Sequence, residues 1–381
     1  MDYHKKKAKS AEEFLTLYFE QEHLLESIDY DKALLPELIE KARRLVSEDP
    51  SPKNEVLLSY LLIENKDTEG IRLLDSMART GERRALYLLG ECYHNGYLVD
   101  KDIDQSIRCY ELAASKGEPM ALTRMGIAYT YGFGKEKDIK RAISCFEKSA
   151  EQGHPVALYS LGVLHSVSSF EKKDMKKAIH YFEEAAKQGS IEALSSLGRA
   201  YKYGEGVPRD YRKSLEYFLK ASEEGDLFAI NNVALYYERG LGVAFDLKKA
   251  LTFYERGAKE NYAPSLYHLG LFYLEGKAVE KDEKKAFELL KKASDLNYPL
   301  ACYYLGLLYK DGRGTDKDEE RAFYCFRIAK ENGIALATYE LALLYLNGEG
   351  VPKDIDIAKV LLRQASEQGV KEAKEKLDEL N

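Results

Sequence analysis

Residues 193–225 read ALSSLGRAYKYGEGVPRDYRKSLEYFLKASEEG, and this pattern returns every 36 residues along most of the chain. Asp210 marks the register, because steps of 36 residues from it always reach an aspartate: Asp102, Asp138, Asp174, Asp246, Asp282, Asp318 and Asp354. A second track holds Gly90, Gly126, Gly162, Gly198, Gly270 and Gly306, with Ala234 and Ala342 at the two other steps. A fixed period of this length is typical of a solenoid, in which one supersecondary unit is stacked many times.

Each unit reads as two amphipathic helices, A and B, joined by a glycine-rich turn. Helix A of the quoted unit is predicted from about Ile191 to Tyr203, with apolar residues at helical spacing. Gly198 is interpreted as a point of close helix approach, because glycine inside a helix costs about 1 kcal/mol relative to alanine. Asp210 is predicted to cap helix B. Gly225 closes that helix at a position where other units carry Gly or Asn, the residues that best tolerate a left-handed conformation.

The unit A-L-x-x-L-G-x-x-Y-x-x-G-x-G-V-P-x-D-x-x-K-[AS]-x-x-[YF]-[YF]-x-x-A-[AS]-x-x-G resembles the Sel1-like repeat, a relative of the tetratricopeptide repeat, over residues 82–369. The resemblance implies an all-α, right-handed α-solenoid of helix-turn-helix repeats, with a concave face lined largely by helix A. It also implies a scaffold or adaptor. A secreted, cysteine-rich subgroup of the family has a disulfide in each repeat and has been linked to β-lactam binding, but this chain lacks those paired cysteines.

Four segments are expected along the chain. They are an N-terminal helical cap (1–50), a degenerate repeat (51–81), eight repeats of 36 residues (82–369) and a C-terminal capping helix (370–381). The N-terminal segment is predicted to form helices over residues 11–28 and 33–47, and the first carries an apolar stripe of Phe14, Leu17, Tyr18, Leu24 and Leu25. We interpret this segment as a cap over the first repeat. A separate partner-binding helix is the alternative.

Composition narrows the class of protein. The chain has 381 residues, 45% of them hydrophobic, and a net charge of −7 with acids and bases interspersed, which argues against a nucleic-acid surface. No apolar run is long enough to span a bilayer, and the basic start MDYHKKKAKS is not followed by a signal-peptide core. We therefore expect a cytoplasmic protein, with delivery outside the cell by a non-classical route left open. Five cysteines with no repeating pair predict buried thiols.

The sequence predicts no enzyme, metal or cofactor. The Gly-x-Gly copies follow a helix instead of a strand, so they indicate turns and not phosphate loops. The acidic run at residues 100–111 mimics a calcium loop, but Gln105 stands where glycine is needed. The seven histidines have no zinc-ligand spacing, and no nucleophile motif is present.

The third repeat departs from the others, because residues 165–170 read HSVSSF and lack both loop glycines. Neutral variation in an exposed loop is one interpretation. A bend or a partner contact at this loop is the other.

Tetratricopeptide geometry makes Arg84, Tyr87, Glu91 and His94 the groove-facing positions of helix A. Following these positions through the repeats gives the candidate partner-binding residues: Tyr87, Glu91, Tyr159, Arg199, Lys202, Tyr267, Leu271, Tyr303, Leu307, Tyr339 and Leu343. They indicate a C-terminal apolar–aromatic groove joined to a basic midsection, suited to a peptide or helix with an acidic feature. Alternatively, the tyrosines pack between adjacent helices A, since tyrosine serves cores and interfaces equally well.

The sequence therefore predicts a non-catalytic interaction scaffold that binds a protein or peptide partner along the concave helix-A face. A small-ligand or peptide receptor acting as a regulatory switch is the alternative from a different class. Both functions are inferred by analogy with the fold, which is weaker evidence for function than the chemistry of a specific site.

Overall fold

The computed structural model describes residues 6–20, 28–167 and 173–380 of the chain. Residue contacts divide it into two compact units, unit 1 (residues 1–210) and unit 2 (residues 211–381). Each unit is an α-solenoid in which consecutive helices pack against each other as pairs. The predicted all-α solenoid class is confirmed.

Unit 1 begins with two N-terminal helices and continues with helices A and B in alternation. Its helices are α1 Ala11–Glu20, α2 Leu35–Glu48, α3 Pro52–Glu64, α4 Thr68–Thr80, α5 Arg83–Asn95, α6 Ile103–Ser115, α7 Pro119–Tyr131, α8 Ile139–Ala150, α9 Pro155–Ser166, α10 Met175–Lys187 and α11 Ile191–Tyr203. From α3 onward the odd-numbered helices are helices A. The even-numbered ones are helices B.

Unit 2 follows the same alternation. Its helices are α12 Tyr211–Glu223, α13 Leu227–Arg239, α14 Leu247–Lys259, α15 Ala263–Glu275, α16 Glu283–Asp295, α17 Pro299–Asp311, α18 Glu319–Glu331, α19 Ala335–Asn347, α20 Ile355–Glu367 and α21 Lys371–Glu379. The last helix buries Ala373 and packs Leu377 against the core of the preceding repeat. Its other face is charged, as a helix at the end of a stack requires.

The N-terminal segment differs from its prediction. Strand β1 (Lys6–Ala8) pairs in parallel with strand β2 (Ile28–Tyr30), and Lys6 lies opposite Ile28. The predicted helix over residues 11–28 is therefore wrong at its end, because a segment of three residues is too short for its periodicity to distinguish a strand from a helix. Phe14 and Tyr18 of α1 are buried as predicted. Leu24 and Leu25 lie outside the described residues.

The glycine track inside helix A receives a ring or branched side chain from helix B of the same repeat. A Cβ atom added at Gly126 would lie 2.5 Å from Cε1 of Phe146. At Gly306 it would lie 2.6 Å from Cε1 of Phe326. The predicted close approach is confirmed, and it explains why glycine is kept despite its helix penalty.

The recurring aspartates cap helix B and also close the loop before it. The Asp318 carboxylate accepts from the backbone N–H of Arg321 at 2.9 Å. The backbone N–H of Asp318 donates to the carbonyl of Tyr309, also at 2.9 Å. Gly225, Asn261 and the other residues at the end of helix B have positive φ, so the predicted left-handed closure is confirmed.

The third repeat keeps this loop closure although its loop glycines are lost. The backbone N–H of Asp174 donates to the carbonyl of His165 at 2.8 Å, as in the other repeats. Residues 168–172, which include the second half of the divergent stretch, lie outside the described residues. Both ends of the loop are therefore fixed at their usual places on α9 and α10.

Candidate functional site

The helix-A face of unit 1 is defined by the positions of Arg84, Tyr87, Glu91 and His94 on α5. These residues lie three or four positions apart, so they share one side of the helix. Three cavities adjoin this side of α5, and each of the first three residues lines a different one. We call them the basic, middle and acidic cavities.

The basic cavity has a volume of about 600 Å³ and lies where α3, α5 and α7 begin. Its lining residues include Lys53, Arg83, Arg84, Glu82, Glu118 and Gln152. Arg84 donates from Nη1 to Oε1 of Glu118 at 3.0 Å, and the Glu118 side chain is 4% exposed. The buried carboxylate is thus compensated by a guanidinium from the preceding helix A.

The middle cavity has a volume of about 340 Å³ and lies over α7, between Tyr87 of α5 and the start of α9. Tyr87, Met120, Thr123, Arg124, Ile127, His154 and Val156 line it. Tyr87 is only 1% exposed and packs 6.0 Å from the ring of Tyr110. It forms a wall of this cavity and is otherwise a core residue.

The acidic cavity has a volume of about 360 Å³ and lies between β2 and the last turns of α3 and α5. Its lining includes three carboxylates (Asp29, Glu64 and Glu91), one lysine (Lys32) and three tyrosines (Tyr30, Tyr60 and Tyr97). Burial raises the pKa of Tyr30, and the nearby Glu64 carboxylate raises it further. The Tyr30 hydroxyl is buried in the wall of this cavity without a hydrogen-bond partner among the described residues.

Glu91 joins two repeats and lines the acidic cavity. Its carboxylate accepts from Nε and Nη2 of Arg124, each at 2.7 Å. It also accepts from the Tyr110 hydroxyl at 2.6 Å. A bidentate arginine pair of this kind fixes geometry as well as charge. Glu91 thus holds α5, α6 and α7 in register at the site.

The predicted basic midsection lies on α9 and α11 of unit 1. Arg199 is exposed, and its charge acts on the half-buried Tyr159 hydroxyl, whose pKa burial raises. Lys202 is half-buried, with Nζ 5.4 Å from the centroid of the Tyr203 ring. Arg199 is thus near enough to Tyr159 for its charge to act on the hydroxyl.

The predicted C-terminal groove lies in unit 2, and two of its three tyrosines are buried there. Tyr267 is 7% exposed and Tyr303 is 9% exposed. Their rings lie 5.7 Å and 5.3 Å from the ring of Tyr304, at the interface of α15 and α17. Burial raises the pKa of Tyr303 to about 12. The packing alternative describes Tyr267 and Tyr303 better than a free groove does.

The accessible part of the unit 2 helix-A face is a strip of half-buried side chains. Leu271, Leu307 and Leu343 occupy one equivalent position on α15, α17 and α19, and Tyr339 is half-buried beside them. Glu340 follows Tyr339 and accepts from Lys310 Nζ at 2.7 Å, which links α17 to α19. These side chains form an apolar strip along α15, α17 and α19.

Neither a metal site nor a membrane span is visible in the described part of the chain. Residues 6–20, 28–167 and 173–380 contain no group of three or more His, Cys, Asp or Glu side chains placed to hold a metal ion. None of the helices in these ranges is long and apolar enough to cross a membrane. The five cysteines are free thiols, three of them buried.

A profile of the Sel1 repeat matches eight consecutive segments: residues 83–118, 119–154, 155–190, 191–226, 227–262, 263–298, 299–334 and 335–370. The chain belongs to the Sel1 repeat family. These matches begin one residue later than the repeat bounds predicted from the sequence. None of the curated protein sequences matches the chain.

Solved Sel1 repeat structures are similar to this chain over most of its length. A Sel1 repeat protein from Oxalobacter formigenes is 29% identical, with a TM-score of 0.61, over 80% of this chain and 90% of that one. The protein c5321, a protective antigen of uropathogenic Escherichia coli strains with the same repeat fold, is 25% identical. Its TM-score is 0.56, over 97% of this chain and 87% of that one.

Sel1 repeat proteins generally mediate protein–protein interactions. Several residues that line the cavities are not in the candidate set from the sequence, notably Lys53, Glu64 and Glu118. Lys53 and Glu64 belong to the degenerate repeat, where the 36-residue register is weak. Glu118 precedes the first turn of helix A, a position that Sel1 register alone assigns to a turn. The feature of the sequence that could have identified these residues is their charge at the ends of helices A.

Proposed function

We propose that this Sel1 repeat protein is a non-catalytic interaction scaffold whose helix-A face binds a protein or peptide partner. The three adjoining cavities along α5 carry the proposal. Their volumes, about 600, 340 and 360 Å³, lie in the range of ligand-binding pockets. A row of separate pockets along one helix suits a chain that places successive side chains into them.

A second surface for the same partner, or for another, is the strip of Leu271, Leu307 and Leu343 in unit 2. Repeating apolar side chains on one face favour an amphipathic helix or an extended apolar segment. Tyr339 adds an aromatic edge, whereas Tyr267 and Tyr303 support the strip from beneath.

Site-specific photocrosslinking tests which face binds. A photoreactive amino acid at His94, exposed on α5, is compared with one at Leu112, 53% exposed on helix B of the same repeat. We expect a partner captured from native lysate at position 94 and not at position 112. The captured protein is then purified, and its affinity is measured calorimetrically for wild type and for Arg83→Glu.

The outcomes separate the faces. A purified partner that binds wild type and loses affinity for Arg83→Glu supports the helix-A face of unit 1. Loss of affinity only in a Leu271→Gln, Leu307→Gln, Leu343→Gln variant moves the site to unit 2. Capture from position 112 alone, or an affinity that neither variant changes, contradicts the proposal.

A small-ligand receptor is the second candidate, and the size of the basic cavity favours it. A ligand that binds only the folded state raises the melting temperature in proportion to the logarithm of its concentration at saturation. Screening small anions and amino acids by thermal shift, with Arg83→Glu as the control, tests this function. A concentration-dependent shift that the variant abolishes would replace the scaffold by a receptor.

A further inference from the structure

The three cavities along α5 have a definite electrical polarity. The basic cavity contains Lys53, Arg83 and Arg84 and lies at the first turns of α3, α5 and α7. Helix N-termini carry partial positive charge, which adds to these side chains. Its two carboxylates are engaged: Glu118 pairs with Arg84 at 3.0 Å and lies 3.5 Å from Nε of Arg83, and Glu82 accepts from the Ala85 backbone N–H. The three cations outnumber the two carboxylates, so the net charge at this end is positive.

The opposite end of α5 has the opposite sign. Glu64 is the last residue of α3, and Asn95 is the last residue of α5. Both line the acidic cavity, where the C-terminal carbonyl groups add partial negative charge. Asp29 and Glu64 outnumber Lys32 there, since Glu91 is compensated by Arg124. The nearby ring of Tyr97, 59% exposed, offers a further contact to a cation.

The middle cavity between these two ends is suited to an apolar group. Met120, Ile127 and Val156 supply most of its aliphatic wall. Thr123 and His154, which also line it, bond each other at 3.1 Å instead of pointing an unused donor at a ligand. An apolar side chain would thus lose little hydrogen bonding on entering.

We propose that the helix-A face around α5 binds an extended segment of a protein partner with three successive features. An acidic side chain lies over the basic cavity, an apolar side chain enters the middle cavity, and a lysine or arginine lies over the acidic cavity. The inference rests on the proposed scaffold function and names the chemistry of its partner. Arg84 and Asn95 are separated by about 16 Å of helix, at 1.5 Å per residue. An extended chain covers about 3.3 Å per residue, so the acid and the base are about five residues apart.

A single tryptophan provides the reporter, because the chain has none. Tyr97→Trp places it at the rim of the acidic cavity in the full-length protein. Tyr324→Trp, at a residue 54% exposed on helix B of unit 2, is the matched control. The probe is Ac-Glu-Ala-Leu-Ala-Ala-Lys-NH2, in which Glu and Lys are five residues apart, and its binding is followed by the tryptophan fluorescence. Two further peptides replace its Glu by Gln or its Lys by norleucine.

Double-mutant cycles in the Tyr97→Trp background test the polarity. Arg83→Gln removes charge at the basic cavity, and Glu64→Gln removes charge at the acidic cavity. Arg72→Gln and Glu48→Gln make the same charge changes at positions that line none of these cavities.

We expect a saturable fluorescence change with Tyr97→Trp and none with Tyr324→Trp. Removing the peptide Glu should weaken binding about threefold when Arg83 is present. The same removal should have no effect once Arg83→Gln is added, since both partners of a half-exposed pair are needed for its contribution. The peptide Lys should couple in the same way to Glu64.

The outcomes test the charge polarity of the face separately from the scaffold function. Coupling of the peptide Glu to Arg83 and of the peptide Lys to Glu64, absent for Arg72 and Glu48, supports the inference. Binding without coupling, or with the couplings exchanged, overturns the polarity and leaves a peptide-binding face. Absence of a saturable change with Tyr97→Trp overturns the inference, while crosslinking of a purified partner at position 94 would still support the scaffold.

Discussion

Lys285 at the start of α16 lies with Nζ 4.1 Å from the centroid of the Tyr273 ring and donates to its hydroxyl at 2.6 Å. The same contact between a cation and a ring recurs between helices A and B of other repeats. The equivalent pairs are Arg141 with Tyr129, Lys249 with Tyr237, and Arg321 with Tyr309. The recurrent tyrosine of helix A is thus held from two sides, because its carbonyl also accepts from the aspartate N–H before helix B.

Removing this contact should destabilise the sixth repeat. We expect Lys285→Met to lower the free energy of unfolding by about 0.5–1 kcal/mol, the value of an exposed cation–π pair. Lys284→Met, at the exposed neighbouring position, should leave it unchanged. Urea unfolding at neutral pH measures both. Equal effects of the two substitutions would show that charge alone matters.

The contribution of the Lys285–Tyr273 pair to the free energy of unfolding should depend on pH in the alkaline range. The hydrogen bond to Tyr273 raises the pKa of Lys285 in the folded protein. A raised lysine pKa stabilises the fold below the unfolded pKa of about 10.4, and this contribution is lost as pH rises through the folded pKa. The difference between wild type and Lys285→Met should therefore persist at pH 7 to 9 and vanish at higher pH. A difference that survives full deprotonation would assign it to packing.

An alanine in the glycine track should destabilise the fold, and a smaller side chain on helix B should partly compensate for it. Gly306→Ala should lower the free energy of unfolding by about 1–3 kcal/mol, because its Cβ would overlap the Phe326 ring and overpacking outweighs the helix-propensity gain of about 1 kcal/mol. The eighth repeat carries Ala342 and Leu362 at the equivalent positions. Adding Phe326→Leu to Gly306→Ala should therefore cost less than the sum of the two single changes. A stabilising Gly306→Ala would contradict this packing.

In unit 2, the burial of a side chain should predict how much its replacement destabilises the fold. Tyr303→Ala should lower the free energy of unfolding by about 3 kcal/mol, since Tyr303 is 9% exposed and touches Tyr304 and Phe326. Tyr303→Phe should retain most of the stability. Leu307→Gln should cost less than Tyr303→Ala, because Leu307 is only half-buried. Calorimetric melting compares them, and a stable Tyr303→Ala variant would return this tyrosine to the candidate binding surface.

His268 should make unit 2 sensitive to acid. Its ring stacks on Tyr254 at 4.9 Å, and burial, with Arg239 and Lys277 nearby, lowers its pKa to about 4. A folded pKa below the unfolded value of about 6.5 means that stability is complete above pH 6.5 and falls as pH drops toward 4. The loss should reach about 3 kcal/mol. His268→Tyr, which copies Tyr304 of the next repeat, should remove this part of the pH dependence, as urea unfolding across this pH range would show. An unchanged acid profile would contradict it.

Periodicity predicted the elements whose structure is local. The helix predicted from Ile191 to Tyr203 has those bounds, and the aspartate and glycine positions cap helices as expected. Such features depend on a few neighbouring residues, so a repeating sequence reports them reliably. The packing role of Gly306 could also be predicted, because a glycine kept inside a helix needs a reason beyond propensity.

Contacts between distant residues could not be predicted in the same way. The pairing of Lys6 with Ile28 joins short segments whose side chains show no distinguishing period. Helical register placed Tyr267 and Tyr303 on the helix-A face, but it could not reveal that Tyr304 and the neighbouring helix cover them. Register gives the direction of a side chain, whereas exposure depends on what packs over it.

The repeat, its helices, their caps and the side of each helix that forms the helix-A face all follow from the amino-acid sequence alone. Where that face is open depends on tertiary packing. The cavities form around α5 because the first turns of α3, α5 and α7 meet at Arg84 and Glu118, while β2 approaches the last turns near Glu64. Their polarity follows from bringing these helix ends and charges together, and spacing along the chain does not encode such distances.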